Sequence, residues 1–227
     1  MKLPDINLII DFDSTFVRVE GLEELAKISL RDRPDRDYVI SRIKEITDQG
    51  MAGEIMFQES LQKRLELFCP HKSNIATLTE LLKQEVTPSV LDSRSFFKEN
   101  ADNIYIISGG FKDWILPVVR DFGITDEHVL ANDFLYEEHG SISGIDLNNP
   151  LTRSGGKGLS VDALRLPGKI VVIGDGFTDY EIKSSGFADM FVMFTENVRR
   201  PKVEKLADII AEDWNKVLSA LQSSTLY

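Results

Sequence analysis

Three short apolar runs punctuate the chain, each ending at a polar residue or a glycine. Ile6, Leu8, Ile9 and Ile10 run into Asp11, Asn103 to Ile107 run into Ser108-Gly109-Gly110, and Lys169 to Ile173 run into Gly174-Asp175. Apolar runs bounded by polar residues predict buried strands of a parallel sheet. Residues 189–193 and 208–210 are strand-like as well. Between the first two runs the period turns helical. Leu22, Leu25, Ala26 and Ser29 share one face, and Val39, Ile43 and Ile46 a second, with Gly50 where a helix should end. Residues 54–69 and 74–85 predict two more helices, and Thr87-Pro88 breaks the pattern. A short helix is predicted over 89–99. Another follows Gly110, with Phe111, Ile115, Val118 and Phe122 on one side and Pro117 positioned to kink it, and a last one runs from about Glu212 to Leu221. Residues 129–146 alternate like a hairpin turning at His139-Gly140. Strands and helices in this order predict an α/β protein with a doubly wound, mostly parallel sheet. Residues 1–15 and 86–227 form its core, and 16–85 are an inserted helical bundle.

Composition narrows the partners. The chain has 227 residues, enough for one large domain or a domain with an insert, and 42% are hydrophobic. A net charge of −11 excludes the broad basic surface that nucleic acids or acidic membranes require, so neither is an expected partner. An anionic small molecule remains compatible, because a few local cations outweigh distant charge. Cys69 is the sole cysteine, so no intramolecular disulfide forms. No apolar stretch approaches the roughly 20 residues of a membrane span. No charged segment followed by a long apolar one opens the chain, and a cytoplasmic location is expected.

The chemistry gathers at strand ends, where open α/β sheets bind ligands. Asp11 and Asp13, one residue apart, repel each other unless a cation or a shared proton intervenes. A hard divalent metal is therefore expected, with one carboxylate able to hold a proton. Gly174-Asp175-Gly176-Phe177-Thr178-Asp179 adds two more carboxylates beside glycines that let backbone approach a ligand. It is no dinucleotide fingerprint, since Asp179 stands where a third glycine belongs. Ser108-Gly109-Gly110 offers a hydroxyl and backbone N–H groups at a helix start, which suits phosphate. Ser154-Gly155-Gly156-Lys157-Gly158 puts a lysine among glycines. It is not a P-loop, because Leu151 and Gly158 occupy the required glycine and Ser/Thr positions. Phe57, Leu61, Arg64 and Phe68 share one helical stripe, so periodicity alone gives Arg64 a packed stem and a head in water.

Taken together and in order, DFDSTFVRVEGLEELA, MAGEIMFQESLQKRL, IISGGF, SGGKG and IGDGFTD resemble the haloacid dehalogenase superfamily. Within it they resemble the phosphoserine phosphatases, from Ile9 to about Asp208. The resemblance implies a Rossmann-like core with a helical cap. It implies Asp11 as nucleophile and Asp13 as general acid and base. It further implies that Mg²⁺ would be held by Asp11, the Asp13 carbonyl and Asp175, with Asp179 orienting them, that Ser108, the Gly109 backbone and Lys157 would hold phosphate, and that Thr178 would lie among the substrate-binding residues. By the same resemblance Glu20 would bind an ammonium and Arg64 a carboxylate, while Met51 and Phe57 would line the pocket. The implied partner is a small phosphate ester, L-phosphoserine above others, and a homodimer is compatible. A related phosphatase or phosphotransferase acting on another small ester is the alternative, with a receiver-like phospho-switch behind it. Three positions depart from the pattern, one of them Thr178, where some members have asparagine. Ala52 stands where the family usually has glycine, and Phe177 where it has a small residue; these changes are expected to tighten the pocket and narrow the phosphate loop.

Overall fold

A computed structural model describes residues 2–3, 5–51 and 55–222. In chain order the elements are β1 (Ile6–Ile10), α1 (Gly21–Ser29), α2 (Arg36–Met51), α3 (Phe57–Phe68), α4 (Lys72–Gln84), α5 (Pro88–Asp92), α6 (Arg94–Glu99), β2 (Ile104–Phe111) and α7 (Lys112–Val119). Then come β3 (Val129–Asn132), β4 (Phe134–Tyr136), β5 (Ile142–Ile145), α8 (Gly156–Leu164), β6 (Lys169–Gly174), α9 (Phe177–Ser184), β7 (Met190–Phe194), α10 (Pro201–Glu204), β8 (Ile209–Ala211) and α11 (Trp214–Gln222).

The six-stranded sheet has the order β3-β2-β1-β6-β7-β8, and every neighbouring pair is parallel. All five residues of β1 are buried, as a central strand covered on both faces requires. Leu8 and Ile10 join the larger core on one face, with Phe12, Phe16, Phe97, Phe122 and Trp214. Ile9 points the other way, into a core with Val172, Phe191, Val161 and Ile182 under α8 and α9. Strand order reverses direction between β1 and β6, which opens a crevice at their carboxyl ends. Ile10 pairs with Ile173, and the Asp11 N–H donates to the Ile173 carbonyl at 2.9 Å, so Asp11 and Asp175 leave adjacent strands side by side.

Helices α1 to α4 all lie between β1 and β2 in the chain. The entry and exit of this insert are joined by an antiparallel bridge between Val17 and Val86 and by the Arg18 N–H on the Glu85 carbonyl at 2.8 Å. Its far corner meets the β4–β5 hairpin. There the Lys72 N–H donates to the Gly140 carbonyl at 2.9 Å, and Gly140 takes the left-handed φ of 87° that its turn needs. Among the described residues no helix is long and apolar enough to cross a membrane.

Several local expectations shift. The second strand does not stop at Ile107 but continues through Ser108-Gly109-Gly110, with a register break, until Phe111 pairs with Asn132. Phe111 is thus a strand residue stacked on Phe134, not part of a helical face. The helix expected over 89–99 is two, divided at Ser93. With Pro117 inside it, α7 ends at Val119 and tightens into a 3₁₀ turn over 120–122, closed by Gly123 at φ 83°. Ala52 lies outside the described residues, as do the side chains of Met51 and Phe57.

Candidate active site

After β1 the chain makes a wide turn over Phe12–Phe16, closed by the Val17 N–H on the Phe12 carbonyl at 3.0 Å. Within it Ser14 adopts φ 54°, a conformation disfavoured for a residue with a Cβ. The turn is anchored by buried rings: Phe16 lies edge-on to Phe97 at 5.5 Å and to Phe122 at 4.9 Å. Asp11 and Asp13 stand on this rigid base and face different partners.

Asp11 Oδ1 accepts from Phe12 N–H at 2.7 Å and from Lys157 Nζ at 2.8 Å. Lys157 also reaches Asp179 Oδ1 at 2.7 Å, and Asp179 Oδ2 accepts from Gly176 N–H at 3.0 Å. The glycines here are steric necessities. A Cβ on Gly174 would lie 2.3 Å from the Asp179 carboxylate, and one on Gly156, where α8 begins, 2.0 Å from the Pro150 carbonyl. Asp175 accepts from Arg200 Nε at 2.8 Å and, weakly, from Thr15 Oγ1 at 3.4 Å. The Asp13 carboxylate turns instead to the first turn of α1, where Oδ1 accepts from Gly21 N–H at 2.7 Å.

Burial dominates the titration of this cluster. It pushes Asp11 well above the usual carboxylate range, with Asp179 and Asp175 adding to the shift and Lys157 opposing it. Asp13 is pushed up to about 8 by burial and by Glu20, against the Gly21 N–H. Asp175 rises to about 6 for want of solvent, held back by Arg200. Burial alone would lower Lys157, but Asp11 and Asp179 beside it hold it above its ordinary value, so it stays a cation.

Asp11, Asp175 and Asp179 each bring a carboxylate oxygen within 4.8 Å of the others. An all-oxygen, multiply anionic donor set suits a hard divalent cation, whose charge would offset the burial cost that these groups share. The residues present therefore fit such an ion.

Asp11, Lys157 and Asp175 border one cavity of about 1040 Å³, which is also lined by Asp13, Glu20, Arg64, Ser108, Gly109 and Thr178. Nine residues expected at a site thus meet in one space, and Asp179 sits buried behind it. Glu20 Oε1 accepts from Ser14 Oγ at 2.6 Å. Arg64 is only 9% exposed and opens to the cavity rather than to bulk water; its Nε donates to the Ser60 carbonyl at 3.2 Å. Ser108 Oγ accepts from Gly110 N–H at 2.9 Å. Phe177 is half-exposed at the cavity rim.

Four contributors were missed in the sequence. Thr15 and Arg200 hold Asp175, Asn197 grips the turn, and Asn132 Nδ2 donates to the Gly109 carbonyl at 2.8 Å. Only Arg200 left a local signal, as part of the cationic run Arg199-Arg200-Pro201-Lys202 in an acidic chain.

The sequence profile described as haloacid dehalogenase-like hydrolase matches residues 8–182. The chain is 32% identical to the chloroplastic phosphoserine phosphatase of Arabidopsis thaliana over 214 residues, covering 93% of this chain and 70% of that one. It is 32% identical to the phosphoserine phosphatase of Homo sapiens over 215 residues, covering 93% and 91%. Among solved structures, a phosphoserine phosphohydrolase-like protein from Francisella tularensis superposes with a TM-score of 0.83 at 29% identity, covering 94% of this chain and 98% of that one.

Proposed function

Because this chain belongs to the haloacid dehalogenase-like hydrolases, we propose that it is a phosphatase that hydrolyses L-phosphoserine to serine and phosphate through an aspartyl-phosphate on Asp11. The observation that carries this reading is the contrast between two aspartates on one turn. Asp11 Oδ1 is gripped by Lys157 Nζ at 2.8 Å, while Asp13 has no cation in contact among the described residues and accepts from the Gly21 N–H at 2.7 Å, with burial and Glu20 favouring its protonated form.

Lys157 and Phe12 N–H both occupy Asp11 Oδ1, and among the described residues no donor holds Oδ2. Oδ2 attacks phosphorus in line with the ester oxygen. The phosphorus–ester bond breaks, its electron pair stays on the serine oxygen, and Asp13 delivers the proton that makes it a hydroxyl. Asp13, now a carboxylate, takes a proton from water as that water attacks phosphorus. The phosphorus–Oδ2 bond breaks and Asp11 is regenerated. Ser108 Oγ, the Gly109 backbone and Lys157 bind the phosphoryl oxygens. Asp11, the Asp13 carbonyl and Asp175 would hold Mg²⁺, oriented by Asp179. When bound, Mg²⁺ supplies charge to offset the phosphoryl dianion and orients it for attack.

The helices α1 to α4 act as the cap, and Glu20 and Arg64 read the two ends of the amino acid. Glu20 accepts from the ammonium. The Arg64 guanidinium, buried at the cavity with no carboxylate in ion-pair contact among the described residues, forks onto the substrate carboxylate. Thr178 completes the pocket.

The test is phosphate release with Mg²⁺ and with EDTA from L-phosphoserine, phosphothreonine, glycerol phosphate, a sugar phosphate and an aryl phosphate. A Mg²⁺-dependent preference for L-phosphoserine is expected. Turnover of the aryl ester alone would leave the aspartyl-phosphate chemistry standing and overturn the Glu20–Arg64 assignment.

A further inference from the structure

Asn197 lies between β7 and α10, outside every motif discussed above. Its Nδ2 contacts three acceptors: the Ser14 carbonyl at 3.1 Å, the Thr15 carbonyl at 3.5 Å and Thr87 Oγ1 at 2.7 Å. An amide nitrogen carries two protons, so the first and last are its firm bonds and the longest contact is marginal. Thr87 in turn donates through Oγ1 to the Thr15 carbonyl at 2.7 Å and through N–H to the Phe16 carbonyl at 3.0 Å. One side chain thus joins the turn bearing Asp13, the point where the helical insert re-enters the core, and the loop whose Arg200 holds Asp175.

The Ser14 peptide is where such a grip matters. Its φ of 54° persists only if the surroundings over-determine it. Its N–H bond to the Val19 carbonyl is long, at 3.4 Å, and its hydroxyl is committed to Glu20. Among the described residues, Asn197 supplies the side-chain donor to its carbonyl. Loss of this φ would turn the Asp13–Ser14 peptide and carry Asp13 off the Gly21 N–H that it meets at 2.7 Å.

We propose that Asn197 is a positioning residue for the acid step. By holding the Ser14 carbonyl it keeps the Asp13 carboxyl aimed at the leaving oxygen, and through Thr87 it ties that aim to the junction of insert and core. The inference rests on the phosphatase reading above.

The test is Asn197→Asp, which keeps the shape but sets an acceptor-only carboxylate against oxygens, and Asn197→Ala, which decides the matter if the first variant fails to fold. Each is assayed on L-phosphoserine, whose alkoxide must be protonated to leave, and on p-nitrophenyl phosphate, whose leaving group departs as a stable anion. For phosphoserine, kcat should fall by about 10- to 100-fold, a part of what general acid catalysis supplies. KM should stay within about twofold. Because Asp13 also activates the water in the step that both esters share, the aryl ester is read in its first turnover, where release of p-nitrophenolate needs no acid and should slow by no more than about threefold. A first-turnover loss on the aryl ester equal to the loss on phosphoserine, or no loss on phosphoserine, would overturn the proposal and leave Asn197 a structural clamp. Wild-type protein without Mg²⁺-dependent release from either ester would instead overturn the phosphatase reading, and this proposal with it.

Discussion

Arg64→Met should cost the enzyme its preferred substrate without costing it stability. Arg64 is 9% exposed, and its hydrogen bonds to the Ser60 carbonyl and Thr47 Oγ1 are long, at 3.2 and 3.4 Å. Burial pushes its guanidinium pKa below the ordinary arginine range, and Glu20, Glu23 and Asp13 restore part of the loss through space without touching it. A buried charge in this condition is a burden that the fold carries. An apolar side chain of similar length should leave stability unchanged or raise it by about 1 kcal/mol, or ~2–4 °C in Tm for a chain of this size. Function goes the other way. A substrate carboxylate left unpaired in the cavity costs about 2–5 kcal/mol, which at ~1.4 kcal/mol per tenfold is about 30- to 4,000-fold in kcat/KM for phosphoserine. Phosphoethanolamine has the ammonium and phosphate but no carboxylate, and its kcat/KM should change by no more than about threefold. Calorimetric Tm and steady-state kinetics on the two esters give the answer. A Tm drop beyond about 5 °C would refute the claim that Arg64 is held at a cost. Equal losses on both substrates would refute the carboxylate clamp.

Asp11→Asn should abolish phosphate release while keeping or raising Tm, since it removes one negative charge from a buried acidic cluster; appreciable turnover in clean protein would contradict its role as nucleophile. In EDTA, stability should fall as pH rises. Asp13 and Asp175 titrate near 8 and 6 when folded but near 4 when unfolded, so across that window the folded chain binds more protons, and the stability present below about pH 4 is lost through 6 and then 8. Saturating Mg²⁺ should flatten this slope, because a cation favours the ionised Asp175; a Tm in EDTA that climbs from pH 5 to 8 would overturn the titration argument. Gly174→Ala should push Asp179 off Lys157, because the new methyl would lie 2.3 Å from that carboxylate; kcat should drop about tenfold or more and stability by about 1–3 kcal/mol, and wild-type kinetics would show that the contact is dispensable.

What the sequence made legible follows from how each feature is encoded. The strands before Asp11 and Asp175 are continuous apolar runs, and burial on both faces is what such runs mean, so both could be placed at the ligand-binding edge of one sheet before any coordinates. Ser108-Gly109-Gly110 misled because glycine carries no side-chain period. The backbone goes on pairing with β3 through those residues, and Phe111 is carried from an expected helix face into the sheet. Arg64 sat in an apolar stripe, and periodicity cannot tell water from a cavity as the place where its head emerges. Asn197, and the partner that Arg200 holds, were illegible for a different reason. Asn197 bonds a carbonyl 183 residues away, Arg200 a carboxylate 25 residues away, and no local spacing records either partner.

The attachment of the insert bears on how the cavity opens. Its α4 is held at both ends: near Lys72 by the hairpin around Gly140, and near Glu85 by Arg18, one residue beyond the Val17–Val86 bridge. A rigid swing of all four helices would break both sets of backbone bonds at once. Arg64, Ser60 and Leu61, which face the cavity, belong to α3, and Thr47 on α2 accepts from Arg64. If the cavity opens, movement of α2 and α3 with α4 left in place is the expected outcome, and amide hydrogen exchange should be faster in α2 and α3 than in α4; faster exchange in α4 would refute it. Thr87 holds the Thr15 carbonyl and accepts from Asn197, which ties the turn that carries Asp13 to the end of the insert that α4 leads into.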